Sequence, residues 1–298
     1  MLTVFQVTTE VRPDSAGQNI YIDQAQYLQA VLQRCGMVNA KAVPTPLPVG
    51  YAPVKSLDKA ADPELRKRYQ TVIGSLLYLM LGTRPDILFA VTKMAQFAAN
   101  PTEDHALYIC CYLVGTPNYR LKYDGASGQG LNACTDSDWA SNINTRRSTS
   151  GFFVKLAGGL ISWTTKAQKT VALSSTEAEY MALSDCSRQV VWMHTLMGEL
   201  GYSLKPIPIC RDNQGSIFIA SNPVTERRSK HIDIRYHYVR EVISPLVVPC
   251  RVHLDGTHVV SVREDNQESA QIHPKGASVT PCTIGRPTFP RRRVAPTD

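Results

Sequence analysis

The sequence lacks any run of about 18 apolar residues, the length a helix needs to span a bilayer. Its best candidate, Ile73–Leu81, falls well short, so no membrane partner is expected. It also lacks a C-x-x-C pair. Its eight cysteines are scattered, with Cys110 and Cys111 adjacent, which argues against a zinc ribbon or a disulfide scaffold. Reduced thiols packed as small core residues fit an intracellular chain, cytoplasmic or nuclear. The start, Met1-Leu2-Thr3-Val4, has no basic segment leading into an apolar one, so secretion is not expected. Internal repeats are absent. Charged residues make up only 19%, but hydrophobic residues reach 43%, which excludes wholesale disorder. Lysine and arginine outnumber acidic residues 32 to 25, a net charge of +7 that permits a polyanionic partner without demanding one. At roughly 100–200 residues per domain, the 298 residues make one large domain or two small ones.

The chain divides by texture. In residues 1–48, Asn19–Asp23 reads as a strand, and Gln24–Cys35 as a helix with Tyr27, Leu28, Val31 and Leu32 on one face. The proline-rich stretch Val43–Lys55 reads as extended, and residues 49–62 form a linker. Residues 63–117 form a helical segment. Tyr69, Val72, Ile73, Leu76, Leu77 and Met80 recur at helical spacing, Thr83-Arg84-Pro85-Asp86 breaks the pattern, and Ile87–Ala98 resumes it. No catalytic spacing of charges is visible there, so it reads as packing. Residues 118–244 change to strands at Gly130–Thr135, Gly151–Leu156 and Gly159–Trp163, continued by Thr170–Leu173. A long helix Ser174–Leu200, a strand Pro206–Arg211 and a helix Asn213–Ala220 follow. Strands first and alternation afterwards predict a mixed α/β sheet with helices on its faces. Met181, Trp192 and Leu196 mark the buried stripe expected of the long helix. Residues 245–298 carry seven prolines and Arg291–Arg293 and read as a disordered tail, although Val247-Val248 could add an edge strand.

Acidic residues at element ends carry the chemistry. Asp136 ends a strand, Glu179 lies in the first turns of the long helix, and Asp212 ends a later strand just before a helix. Strand C-termini and helix N-termini converge on one edge of such a sheet, where ligands bind. Three carboxylates gathered there repel one another unless a cation joins them, and oxygen donors select a hard ion, Mg²⁺ or Mn²⁺. Two such ions suit in-line phosphodiester hydrolysis. Structural alternatives stand beside each residue. Asp212-Asn213 could cap the following helix. Asp138 completes an Asp-x-Asp with Asp136 but reads as a turn residue. Ser174-Ser175-Thr176-Glu177 is a capping box, which assigns Glu177 to the helix N-terminus and leaves Glu179 as the ligand. Arg146-Arg147, Arg227-Arg228, Lys230, His231 and Asp233 are polar residues that normally face solvent. Trp163 and Trp192 read as core.

Taken together, Thr135-Asp136-Ser137-Asp138-Trp139-Ala140, Arg147-Ser148-Thr149-Ser150-Gly151, Ser162-Trp163, Ala172–Ala182, Asp212-Asn213-Gln214 and Lys230–His237 resemble the ribonuclease H domain of copia-type LTR retrotransposon Pol polyproteins, in order and in spacing. Ile73–Leu79, Thr83–Ile87 and Phe97–Thr102 resemble the segment joining reverse transcriptase to ribonuclease H in that family. Tyr27-Leu28, Met37 and Pro44-Thr45-Pro46-Leu47 resemble the end of the reverse transcriptase. The match covers residues 18–243.

The resemblance implies a ribonuclease H-like mixed sheet in 118–244. It also implies a nuclease that uses two Mg²⁺ or Mn²⁺ ions, held by Asp136, Glu179 and Asp212, to cut the RNA strand of an RNA–DNA hybrid within a larger polyprotein. Asp138, Glu177, Arg147, Ser148, Asn213, Lys230 and His231 are the adjoining candidates for site support or nucleic-acid contact. The family's closing helix with Ala-Asp-x-x-Thr-Lys has no counterpart after Glu241-Val242-Ile243, so an impaired enzyme or an inactive, nucleic-acid-binding relic is implied as well. Asp233 and Asp255 do not match the missing carboxylate. The family's basic helix near His105–Thr116 is apolar here. The Tyr-x-Asp-Asp polymerase motif is absent, so no polymerase activity is expected.

Overall fold

The computed structural model describes residues 9–48, 51, 62–101, 107–142, 145–222, 238–243 and 246–250, together with the backbone of 251, 258–259, 262–263 and 271–272. The sheet expected in the second half is present as five strands: β4 (Asn132–Asp138), β5 (Thr149–Leu156), β6 (Gly159–Ala167), β7 (Ile207–Arg211) and β8 (Val247–Arg251), in the order β6-β5-β4-β7-β8. The first three strands are antiparallel, and β7 and β8 run parallel to β4. The β5–β6 hairpin turns through Ala157 and Gly158, both at positive φ, which is the backbone that matches the twist of paired strands. The fifth strand comes from the segment after residue 244, expected as tail. Its Pro249 is tolerated because β8 lies at the sheet edge.

The long helix α5 (Ser175–Glu199) packs on this sheet, with α6 (Gln214–Ser221) and α7 (Tyr238–Val242) beside it. Ala178, Met181, Cys186, Val190 and Met193 bury one stripe of α5 against Ala133, Val154, Ile207, Ile209 and Val247. Trp192 is not in that stripe: it is 55% exposed, because residue 192 falls beyond the arc that Val190 and Met193 define. Thr170–Leu173 does not continue the sheet either. The Leu173 N–H donates to the Glu177 carboxylate at 2.8 Å instead of to a strand neighbour, and Leu173 is 69% exposed.

The first half builds a second core. α1 (Ala25–Arg34), α2 (Pro63–Gly82), α3 (Leu88–Ala95) and α4 (Leu107–Gly115) bury Leu28, Val31, Ile73, Leu76, Leu79, Val91, Met94, Ile109 and Leu113 together. Asp62 caps α2 by accepting from the Leu65 N–H at 3.3 Å, and Pro63 occupies the first helical position, where its missing donor costs nothing. β1 (Glu10–Pro13), β2 (Asn19–Asp23) and β3 (Arg120–Asp124) form an antiparallel sheet of their own, joined at its edge by β10 (Val262–Arg263). β9 (His258–Val259) pairs with β11 (Gln271–Ile272). The β3 strand, not foreseen from sequence, therefore joins β2 and not the five-stranded sheet.

Two contacts lock the halves together. Trp163 on β6 donates its indole N–H to the Met80 carbonyl at 2.7 Å. Gly159 lets β6 approach β3, since a Cβ there would meet the Lys122 carbonyl and the Tyr123 ring at 2.5 Å. Within the helical half, the Thr-Arg-Pro-Asp break is a buried ion pair. Arg84 grips Asp86 with two nitrogens and reaches the Thr116 carbonyl at 2.9 Å and the Thr116 hydroxyl at 2.6 Å, tying the end of α2 to the end of α4. Replacing Asp86 by Ala strands a fully buried guanidinium, so the unfolding free energy of this segment should drop by about 3–5 kcal/mol. Urea denaturation followed by circular dichroism measures it. An unchanged midpoint would show that Arg84 finds another anion.

Candidate metal centre

The three predicted carboxylates meet. Asp136, Glu179 and Asp212 each offer an oxygen, and these oxygens lie within 4.8 Å of one another. Each residue comes from a different element. Asp136 stands near the C-terminal end of β4, Glu179 sits five residues into α5, and Asp212 directly follows β7. Parallel pairing aligns Cys134 with Cys210, and the two aspartates each stand two residues further along. Burial is graded: Glu179 is buried, Asp136 half-buried and Asp212 exposed, so the cluster opens to solvent on the Asp212 side.

The hydrogen bonds explain why Glu179 and not Glu177 faces the cluster. Ser174 caps α5, accepting from the Glu177 N–H at 3.1 Å, and the Glu177 carboxylate returns to the Leu173 N–H. Residues two apart point to opposite sides of a helix, about 200° around the axis. With Glu177 committed to the cap, Glu179 turns toward β4. There the Ser137 N–H is shared between Glu179 Oε1 at 3.1 Å and Asp136 Oδ1 at 2.8 Å. Glu179 Oε2 is buried and has no hydrogen-bond partner. Burial, and then the Asp136 charge beside it, push the Glu179 carboxyl up to about 8. Two close carboxylates, an orphaned buried oxygen and an all-oxygen donor set fit a hard divalent cation, so the residues present suit the ion that the chemistry calls for.

A cation that sequence reasoning missed lies beneath the cluster. Arg211, the last residue of β7, is fully buried. It donates to the Glu179 carbonyl at 3.1 Å and to the Ser216 hydroxyl, while its Nε and Nη1 have no partner. Burial pulls its guanidinium down to about 10, and the nearby Glu179 and Asp212 charges oppose that fall, so it stays charged at neutral pH. A basic residue preceding the strand-end aspartate was the available signal. It went unread because its burial depends on α5 and α6 closing over the strand.

The other candidates separate. Asp138 closes β4 instead of entering the turn, and it is exposed. Ser148 is buried and accepts the Ala140 N–H at 3.0 Å, which pins the β4–β5 connection. Arg147 is exposed on that connection. Asn213 caps α6, accepting from the Ser216 N–H at 2.9 Å. Lys230, His231, Asp233, Asp255 and Arg227-Arg228 lie outside the described residues. Among the described residues no helix is long and apolar enough to cross a membrane.

No protein-family model matches the chain. Over 240 residues it is 36% identical to the Retrovirus-related Pol polyprotein from transposon TNT 1-94 of Nicotiana tabacum, an alignment covering 77% of this chain and 18% of that protein. Over 229 residues it is 40% identical to the Retrovirus-related Pol polyprotein from transposon RE1 of Arabidopsis thaliana, covering 75% of this chain and 15% of that one. The chain thus spans less than a fifth of the length of these curated relatives. A solved structure of LC11-RNase H1 in complex with an RNA/DNA hybrid aligns with 41% of this chain and 84% of that one, at 13% identity and a TM-score of 0.30.

The raised Glu179 carboxyl makes stability depend on pH. Its ordinary value is 4.5, and the folded value is about 8. The folded state therefore binds a proton more tightly than the unfolded chain. The resulting stability is fully present below about pH 4.5, and it is lost as pH rises to about 8. In divalent-free buffer, unfolding free energy should fall between pH 5 and 8 by on the order of a few kcal/mol. Glu179→Gln should flatten the slope. Equal slopes for the two proteins in parallel urea titrations would remove Glu179 as its source.

Proposed function

Because the chain belongs to the copia-type retrotransposon Pol polyprotein family, we propose that its five-stranded α/β module is a ribonuclease H-like, metal-dependent nuclease that hydrolyses the RNA strand of an RNA–DNA hybrid. The observation that carries this reading is the convergence of Asp136, Glu179 and Asp212 within 4.8 Å at the edge where the parallel strands end. Mg²⁺ or Mn²⁺ bound there supplies polarisation of a phosphodiester and an activated water. The protein's share is positioning. Asp136 and Glu179 are held by one backbone N–H, that of Ser137, so their oxygens stay adjacent. Asp212, exposed, completes the donor set from the open side, where a nucleic-acid backbone can approach. Arg211 behind them offsets part of their mutual repulsion without reaching solvent. Arg147 and the undescribed Lys230 and His231 are the candidates for phosphate contact.

A second reading is a catalytically silent relic that still binds nucleic acid. The chain has no Ala-Asp-x-x-Thr-Lys segment after Ile243, and among the described residues three carboxylates gather at the site. On this reading the family's fourth carboxylate is missing, the site holds divalent ions less firmly, and cleavage is lost. The strand β8 restores the edge of the sheet but brings no acidic side chain, since Val247–Arg251 reads Val-Val-Pro-Cys-Arg.

A hybrid with a labelled RNA strand, incubated with the protein and Mg²⁺, tests the proposal. Slow cleavage of the RNA strand is expected. Asp136→Asn should reduce it by at least about 100-fold, the scale of losing a preorganised charged group. Glu177→Gln should leave it near the parent rate. Grafting a family-type closing segment after Ile243 should raise it. Cleavage that survives in Asp136→Asn would falsify the site assignment. A hybrid that stays intact even with the graft, yet is bound, would establish the relic reading.

A further inference from the structure

Three cysteines stand side by side on the five-stranded sheet, and neither the carboxylate cluster nor the core employs them. Cys134 is the ladder partner of Cys210, and Cys210 is the ladder partner of Cys250. Strand alternation puts all three on the face away from α5, because Ala133, Ile209 and Val247 occupy the buried face. They are only partly covered, unlike the sealed Cys110, Cys111 and Cys186. The Sγ atoms of Cys210 and Cys250 are 3.2 Å apart. Facing residues on adjacent strands have Cα atoms about 4.8 Å apart, within the roughly 4.4–6.8 Å range that a disulfide spans. Closing the sulfur gap to the bond length of about 2.0 Å thus needs only side-chain rotation and a small strand shift.

Cys134 competes for the same partner. The two outer strands differ in freedom, however. β4 is held on both sides, by β5 and β7, whereas β8 is paired on one side only and can yield to the new bond. We propose that Cys210 and Cys250 are an oxidation site, converted by a disulfide oxidant such as oxidised glutathione into a cross-strand bridge that fastens β8 to the sheet. The exchange is balanced. One cysteine thiolate attacks a glutathione sulfur and expels one glutathione thiolate. The second cysteine attacks the mixed disulfide and expels the other. Two protein thiols are oxidised, one glutathione disulfide is reduced, and the two thiol protons pass to the released glutathione thiolates. In a reducing compartment the pair stays open, and in an oxidising one it closes.

The bridge closes a long loop, since the two residues are 40 apart in sequence. Loops of that size constrain the unfolded chain strongly, and the melting temperature should rise by roughly 5–10 °C. The test treats the full chain with oxidised glutathione, blocks free thiols with an alkylating agent, and maps linked peptides by mass spectrometry. A Cys210–Cys250 peptide pair, two fewer free thiols, and a melting shift reversed by dithiothreitol are expected. Cys134→Ser should keep all three results. Cys250→Ala and Cys210→Ala should each lose the bridge and the shift, with circular dichroism reporting that the fold is retained. A bridge from Cys210 to Cys134, a bridge from Cys250 to Cys282, or no loss of thiols would each overturn the proposal. A Cys210–Cys250 bridge without a melting shift would overturn the fastening of β8.

Discussion

Everything at the candidate site depends on the parallel pairing of β4 with β7. Parallel neighbours end at the same edge of a sheet, and they require a crossover long enough to return the chain to its starting side. Here the crossover contains the 25-residue helix α5. Its N-terminus consequently arrives at the edge where both strands finish. The register then does the rest. Cys134 lies against Cys210, and the strand-end aspartates stand at equal distances beyond that pair. A slip of one residue would turn one aspartate to the opposite face and dissolve the cluster.

That convergence concentrates negative charge in a place that burial makes unfavourable. The protein answers it locally. The Ser137 N–H serves two carboxylates, Arg211 lies fully buried below them, and the Glu179 carboxyl rises to about 8. Hydrogen bonding at the site stays incomplete, since Glu179 Oε2 and the Nε and Nη1 of Arg211 are buried without partners. Unsatisfied polar atoms at this density are costly in a purely structural core and are expected where a ligand completes the set. The cap of α5 matters for the same reason. Ser174 accepts from the Glu177 N–H and the Glu177 carboxylate accepts from the Leu173 N–H, which sets the rotation of the first turn and so the direction of Glu179.

The helical half supports the sheet without sharing its chemistry. Its buried Arg84–Asp86 pair closes the break between α2 and α3, and its helix α2 accepts the Trp163 indole at the Met80 carbonyl. Gly159 keeps β6 close to β3, where any larger residue would collide with backbone. The two cores are thus separate in composition and joined by a few specific contacts.

Local sequence determined much of this protein. Apolar spacing marked α2 and α5, the capping box separated Glu177 from Glu179, and strand-end positions singled out Asp136 and Asp212. Each of these signals comes from residues within a few positions of one another, where backbone geometry alone decides the outcome. Only tertiary structure decided the rest. Trp192 is exposed because neighbouring elements set the buried arc of α5, and β3 pairs with β2, a partner about a hundred residues away that no local signal marks. Arg211 became a buried counter-charge, and a proline-bearing segment became an edge strand, through packing against elements distant in sequence. Periodicity records which side of an element is apolar, but it does not record which neighbour arrives to cover that side, and burial, charge balance and strand partnership all depend on that neighbour.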